Sequence, residues 1–368
     1  MRILSVVTLG SASGRFGGPF ETAVHQAQIL ASQGHSVRLM FGTERGDEPV
    51  VEPAPSLTAV PVPVRPLTRR WPFSSLFSRG LLSQAWRRAG AADVVHVAMA
   101  RDLVPVVAAI AALLRRRRLV LQPHGMLTTT SSGAGPADAP VGLLLRSAHR
   151  LIALTDREAH ELVIRYRVDA DRVTVLGNPV DPQAALQERT PGHRLEALFV
   201  ARLHPRKRPE DFVAAARTAH DAGWAERYVL LGPDGGMLDR LRPDIEATAN
   251  LEYAGSVPGT AVAARVARTG VFVLCSDAEP WGNVLVAALA MGVPCIVTAS
   301  SALADRLAAA GAAVVVPDRD AAALAAAVHD VLGSAGLRDD LARGGRRFVA
   351  DHLSPSRQAE TLLAAYTR

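Results

Sequence analysis

The residues best suited to chemistry lie in one stretch, VFVLCSDAEPWGNVLVAALAMGVPCIVT, residues 271–298. Four apolar residues, 271–274, read as a buried strand. Asp277 and Glu279 follow in a short loop, a helix opens near Trp281 and runs to Met291, and a Gly-Val-Pro turn leads to a second buried strand. That order of elements belongs to a parallel sheet, in which ligands bind at the carboxyl ends of strands. Glu279 sits at such an end, just ahead of the first helical amides around Trp281, Gly282, Asn283 and Val284. A carboxylate there can accept from hydroxyls while the amides hold an anion, so a polyol and a phosphate could bind side by side. Pro280 suits the entry to a helix, where a missing N–H costs nothing.

A pair of cations forms a second constellation. Arg202 and Lys207 flank the turn between strand 195–201 and a helix opening near Pro209, and two cations at a helix N-terminus suit a diphosphate. Of the 41 basic residues 40 are arginine, and the single lysine falls in this loop. Its ammonium is a compact, rotatable charge that can follow one phosphate oxygen, unlike a planar guanidinium. His124 is a third candidate. Strand 119–122 delivers PHGML, and a histidine between proline and glycine, outside any helix, is expected to hold its ring at the domain surface. Thr155 and Glu158 have capping-box spacing, which gives Glu158 a structural role at a helix start. A glycine loop, GSASGRFGGPF, follows strand 3–8 and precedes a helix over about 20–32. Its Gly14, Gly17 and Gly18 let a ligand approach the backbone, but their spacing does not fit a dinucleotide fingerprint.

The elements that must position these residues fill a chain of 368, which favours two domains. The expected division is a first domain over 1–178, a second over 195–350, and a last amphipathic helix over 354–368; the proline-rich stretch 178–194 reads as the linker. With 49% hydrophobic and 21% charged residues, both domains can bury cores. The stretch 46–72, rich in proline and arginine, is expected to wind over the surface around one short strand, and 128–140 has the composition of a flap. MRILSVVTLG reads as a strand and not a signal peptide, and the longest apolar run, 103–114, contains Pro105 and is too short to span a bilayer. The expectation is a cytoplasmic protein, with peripheral contact at the inner membrane face left open. Cys275 and Cys295 read as core residues without metal-ligand spacing.

The net charge is +6, which points to anionic partners. Residues 60–120 hold eleven arginines against Asp93 and Asp102, interleaved with Trp71, Phe73, Phe77 and Trp86. No nucleic-acid-binding signature accompanies them, so nucleic acid is set aside; an anionic membrane surface or an acidic acceptor stays open beside the plainer reading of solvated faces in an arginine-rich chain.

The stretch around Glu279 resembles the donor-site signature of retaining GT-B glycosyltransferases (glycosyltransferase family 4-like, group 1). That signature reads Glu, any residue, aromatic, Gly, four further residues, Glu, Ala, then Gly-x-Pro. Glu279, Trp281, Gly282, Ala288, Gly292 and Pro294 match it without insertion or deletion, and Ala287 stands where the family has its second glutamate. ARLHPRKR is similar to the family's Gly-Arg-Leu, spacer, Lys-Gly motif, with Ala201 and Arg208 in place of the glycines, and GNPVD resembles its Asn-Gly-Val-Asp turn. His124 followed by Gly-Met-Leu, and the double glycine of the first loop, also look like the family.

The resemblance implies an α/β protein of the GT-B fold, two Rossmann-like doubly wound domains facing each other across a cleft. It implies transfer of a sugar, with retention, from a UDP- or GDP-linked donor to a hydroxyl of a saccharide, lipid-linked or small-molecule acceptor, without cofactor or obligatory metal. Arg202 and Lys207 would neutralise the departing diphosphate, Glu279 would hold hydroxyls of the transferred sugar, and His124 would face that sugar. Gly17, Gly18, Gly232, Val257, Trp281, Gly282, Asn283, Val284 and Ala287 would line the donor. No covalent nucleophile is assigned. The competing reading is a GT-B binding or regulatory protein with lost chemistry, for which Ala287 speaks; an NAD-dependent Rossmann enzyme is disfavoured by the missing fingerprint.

Overall fold

The structure is a computed structural model that describes residues 1–11, 17–52, 54–70, 73–127, 138–180 and 194–367. Gly14, most of the expected flap 128–140 and most of the expected linker 178–194 lie outside the described residues. The chain divides into two compact units, Met1–Pro179 with Pro355–Arg368, and Val180–Ser354.

The first unit is built on β1 (Arg2–Leu9), β2 (Ser36–Thr43) and β3 (Leu57–Pro63), then, beyond a two-stranded antiparallel ribbon of β4 (Arg65–Pro66) and β5 (Leu76–Phe77), on β6 (Val94–Ala98), β7 (Arg118–Gln122), β8 (Arg150–Ala153) and β9 (Val173–Val175). The seven strands run parallel in the order β3-β2-β1-β6-β7-β8-β9. The stretch expected to hold one short strand supplies the seven-residue β3, paired along β2 from Val37↔Leu57 to Thr43↔Pro63, and also the two-residue β4. Pro61 and Pro63 are tolerated there because β3 is an edge strand.

Alternation along each strand feeds two cores. Leu4, Val6, Val95, Val97, Leu119 and Leu121 meet Leu81, Ala85 and Ala89 of helix Arg79–Ala91 and Val104, Ala108 and Ala112 of helix Leu103–Leu114. Ile3, Val37, Val94, Val120 and Ile152 meet Ala27 and Leu30 of helix Gly17–Ser32 and Leu362, Ala365 and Tyr366 of helix Pro355–Thr367. Full burial of each large apolar side chain stabilises by about 1.5–3 kcal/mol. The last helix is also keyed by polar contacts: Gln358 Nε2 donates to the Gly177 carbonyl at 2.8 Å, Arg118 donates to the Tyr366 carbonyl at 2.8 Å, and His96 Nδ1 lies 2.7 Å from the Tyr366 hydroxyl.

The second unit is a parallel sheet of β10 (Arg194–Val200), β11 (Arg227–Leu231), β12 (Leu251–Tyr253), β13 (Thr269–Leu274), β14 (Cys295–Thr298) and β15 (Val314–Val316), ordered β12-β11-β10-β13-β14-β15. Phe212 and Ala216 of helix Pro209–Asp221 and Val328 of helix Ala321–Gly333 cover Ala197, Phe199, Val271 and Val273. Both cysteines are buried and free. The chain moves outward from β10 to β12 and then returns to β13, so the order reverses between β10 and β13, the point at which such sheets bind ligands.

Candidate active site

Because β10 and β13 are neighbours, the loops leaving their carboxyl ends meet. After β10 the chain makes one tight turn, Pro205–Lys207, capped by His204, whose Nδ1 accepts from the Arg206 amide at 3.2 Å. Arg208 ends that turn at φ 53°, and its guanidinium braces Asp211 (2.6 and 2.9 Å) and Glu210 (2.6 Å). Its charge is thereby satisfied, and Asp211 raises it above the ordinary arginine range. Lys207 points elsewhere: its ammonium forms an ion pair with the Glu279 carboxylate, the lysine side chain one-third exposed and the glutamate 10%.

The two loops are also stitched by backbone. The Asp277 amide donates to the Arg206 carbonyl at 2.9 Å and the Cys275 thiol to the Arg208 carbonyl at 3.3 Å. On the far side the Ala278 amide donates to Ser300 Oγ at 3.2 Å and the Ala302 amide to the Glu279 carbonyl at 3.0 Å, while Asp277 pairs with Arg319 at 3.1 Å. Ala278 is held at φ 47°, a conformation a non-glycine residue keeps only where its surroundings impose it. Gly282 stands at φ 81° as the N-cap of helix Asn283–Met291; a Cβ there would lie 3.1 Å from Leu274 and 3.3 Å from Leu285. That left-handed residue delays the helix, expected to open near Trp281, until Asn283. The helix has neither a side-chain cap nor an acid in its first turn. Trp281 is buried, and its indole N–H finds no acceptor among the described residues.

Asn283 is exposed, and Val284 and Ala287 are partly buried. Arg202 is exposed in the loop after β10. Gly232, at the end of β11, has a backbone reason to be glycine: at φ 146° its Cβ would sit 1.9 Å from the Ala201 carbonyl oxygen. Its amide donates to the Gly255 carbonyl at 2.7 Å and its carbonyl accepts from the Tyr253 hydroxyl at 2.9 Å, which ties it to the loop carrying the exposed Val257. The second unit thus gathers Arg202, Lys207, Glu279, Trp281, Gly282 and Gly232 at one end of its sheet.

In the first unit, Gly17 and Gly18 open helix Gly17–Ser32, where Thr22 Oγ1 donates to the Gly18 carbonyl at 2.9 Å. His124 follows β7, but its ring is not at the surface as expected. It is buried, with Nδ1 3.4 Å from Asn178 Oδ1. The reason is the turn: His124 and Gly125 are both left-handed, at φ 53° and 77°, and fold the ring inward. Burial lowers its pKa to about 4, so the imidazole is neutral near pH 7.

Glu158 holds that turn. Only half of the expected capping box forms: Thr155 Oγ1 accepts from the Glu158 amide at 3.2 Å, whereas the carboxylate accepts from Leu154 N and Gly125 N, each at 2.6 Å. Burial pushes the Glu158 carboxyl up to about 7 against the pull of those two amides. Arg101 donates to the Met126 carbonyl at 2.9 Å, and Tyr166 donates to the Leu127 carbonyl at 3.1 Å, extending the support. Sequence reasoning missed Asp102 as well. It is buried where the order of the first sheet reverses, accepts from Thr8 Oγ1 at 2.9 Å, and is pushed by burial to about 7. Its signal was being one of only two acids in an arginine-rich stretch. Among the described residues, no three His, Cys, Asp or Glu side chains are grouped to hold a metal ion.

Comparison with known proteins accounts for this arrangement. Residues 16–184 match the model of Glycosyltransferase Family 4, and residues 184–348 that of Glycosyl transferases group 1. A D-inositol 3-phosphate glycosyltransferase of Salinispora arenicola is 30% identical over 249 residues, 61% of this chain and 55% of that one, so the match spans about half of that relative's length. One of Jonesia denitrificans is 27% identical over 415 residues, 97% of this chain and 92% of that one. Among solved structures, Anabaena HepE in complex with UDP superposes with a TM-score of 0.76 at 16% identity, covering 99% of each chain. Two Rossmann-like units with parallel sheets, together matched by these two models over residues 16–348, mean that the chain belongs to the group 1 glycosyltransferases and has the GT-B fold.

Proposed function

We propose that the protein transfers a sugar from a nucleotide-sugar donor to a hydroxyl acceptor with retention at the anomeric carbon. The contact between Lys207 and Glu279 carries this reading. It sets a compact cation and a carboxylate at adjacent strand ends, just before a helix whose first turn has no acid of its own. With donor present, Lys207 and Arg202 take the diphosphate and stabilise the charge that builds as it departs, the task a divalent ion performs in other transferases. Glu279 accepts from hydroxyls of the transferred sugar. His124, kept neutral, is suited to a hydrogen bond with a sugar hydroxyl.

The donor is UDP- or GDP-linked, and the UDP complex of the Anabaena neighbour supports trying UDP first. The acceptor is a saccharide, a lipid-linked sugar or a small polyol; the curated relatives are named for D-inositol 3-phosphate. No cofactor or metal is required. A binding protein that has lost the chemistry is not favoured, since Lys207 and Glu279 are both present and in contact.

A thermal-shift panel of nucleotides and nucleotide sugars, with and without chelator, tests the reading. A donor at 100 times its dissociation constant stabilises by about 2.7 kcal/mol. Nuclear magnetic resonance of the product then reports the anomeric configuration. If no nucleotide shifts the melting temperature and no nucleotide sugar is consumed, the proposal fails; an inverted product would remove retention alone.

A further inference from the structure

The helices covering one face of the first sheet carry features that sugar transfer does not use. Helices Arg79–Ala91 and Leu103–Leu114 pack together, burying Leu81, Ala85 and Ala89 of one and Val104, Ala108 and Ala112 of the other. Their outer sides are apolar as well. Leu82 and Trp86 lie one turn apart on the first, Ile110 and Leu114 one turn apart on the second, and all four are 44–67% exposed. Arg115, which caps the second helix, places its guanidinium 4.9 Å from the centre of the Trp86 ring and so joins the two pairs.

Cations surround this patch. Arg79, Arg87 and Arg116 are exposed, and neither helix contains an acid. Of the two acids between residues 60 and 120, Asp93 is engaged with Arg2 at 2.6 Å and Asp102 is buried. Burial, with repulsion from Arg38 and Arg87, holds the Arg88 guanidinium below its ordinary range, as expected where cations crowd together. Among the described residues no helix is long and apolar enough to cross a membrane.

We propose that this face docks on an anionic membrane surface, with Leu82, Trp86, Ile110 and Leu114 entering the headgroup boundary and the arginines pairing with lipid phosphates. Tryptophan favours that boundary, and guanidinium matches phosphate geometry. A protein partner would have to present an apolar area and several acids in one fixed arrangement, whereas a bilayer rich in anionic lipid offers both everywhere. The proposal is independent of the donor chemistry.

The full-length protein is sedimented with vesicles of phosphatidylcholine alone or mixed with phosphatidylglycerol, at low and high salt. Binding is expected only to the mixed vesicles and should weaken with salt. Arg79→Glu with Arg87→Glu should lower binding by about tenfold or more, and Trp86→Ala several-fold, with melting temperatures unchanged. Equal behaviour with the two kinds of vesicle, or a double variant that binds like wild type, overturns the proposal. So does retention on soluble heparin without vesicle binding, which would assign the arginines to a soluble acidic macromolecule.

Discussion

The Lys207 ammonium rests on the Glu279 carboxylate, 72 residues away along the chain, and each is the other's charged partner at the meeting of two strand-end loops. On the proposed reading, a diphosphate competes with Glu279 for that lysine. Lys207→Ala should therefore lower turnover by on the order of 100-fold to 1,000-fold with the fold intact. Glu279→Gln should separate binding from chemistry: calorimetry should find UDP bound at least as tightly as by wild type, while transfer collapses. Wild-type turnover in the lysine variant would remove the phosphate assignment.

Ala287 leaves a gap in the donor signature on the partly buried side of helix Asn283–Met291. Hydrogen bonds to a charged group contribute roughly 1.5–3 kcal/mol. Restoring the carboxylate with Ala287→Glu should tighten nucleotide binding about tenfold or more, 1.4 kcal/mol. Calorimetry on both proteins measures it, and weaker binding in the variant would mean that this pocket has been rebuilt for something other than ribose.

Glu158 makes the first unit sensitive to pH. Its folded pKa, raised from 4.5 to about 7, means that the folded state keeps a proton the unfolded chain has released. The stability this contributes is full below about 4.5 and is lost as pH rises through about 7. Glu158→Gln cannot ionise, so its melting temperature should rise relative to wild type between about pH 5 and about pH 8. The same variant loosens the Gly125 anchor and should impair transfer. A difference in melting temperature that does not change with pH would show that Glu158 does not titrate in this range.

Gly232→Ala probes the second unit by sterics alone. The added methyl would sit 1.9 Å from the Ala201 carbonyl oxygen, where only backbone movement can relieve it. A loss of roughly 1–3 kcal/mol or more in stability is expected, visible as a lower melting temperature without any ligand. Unchanged melting with weakened nucleotide binding would instead assign Gly232 to the donor alone.

Much of the second unit was legible because its signals are local. The apolar run 271–274, the loop acids and the glycine-proline turn appear in order, and only the helix start moved, from Trp281 to Asn283, because a left-handed Gly282 intervenes. Lys207 and Glu279 were each visible, but their pairing was not, since it depends on β10 lying next to β13. The first unit hid more. Glu158 reads as a capping residue until Gly125, 33 residues earlier, is brought to its carboxylate, and the same turn buries His124. Thr8 and Asp102 are 94 residues apart and meet only across the sheet's reversal. Long-range partnership among buried polar groups has no periodicity to betray it.

Helix Pro355–Thr367 makes the first unit a structure that cannot be finished early. Ile3, Val37, Val94, Val120 and Ile152 are synthesised long before Leu362, Ala365 and Tyr366, which cover them, and Gly177 waits as long for Gln358. At ribosomal rates that interval is on the order of tens of seconds, during which the part of this apolar sheet face not covered by helix Gly17–Ser32 stands open. The protein should accordingly depend on chaperones while it is being made, although the completed fold hides every reason for it. A stop codon just before Pro355 would remove 13 helical residues and yield insoluble protein, because what resembles a tail is the closing wall of the first core.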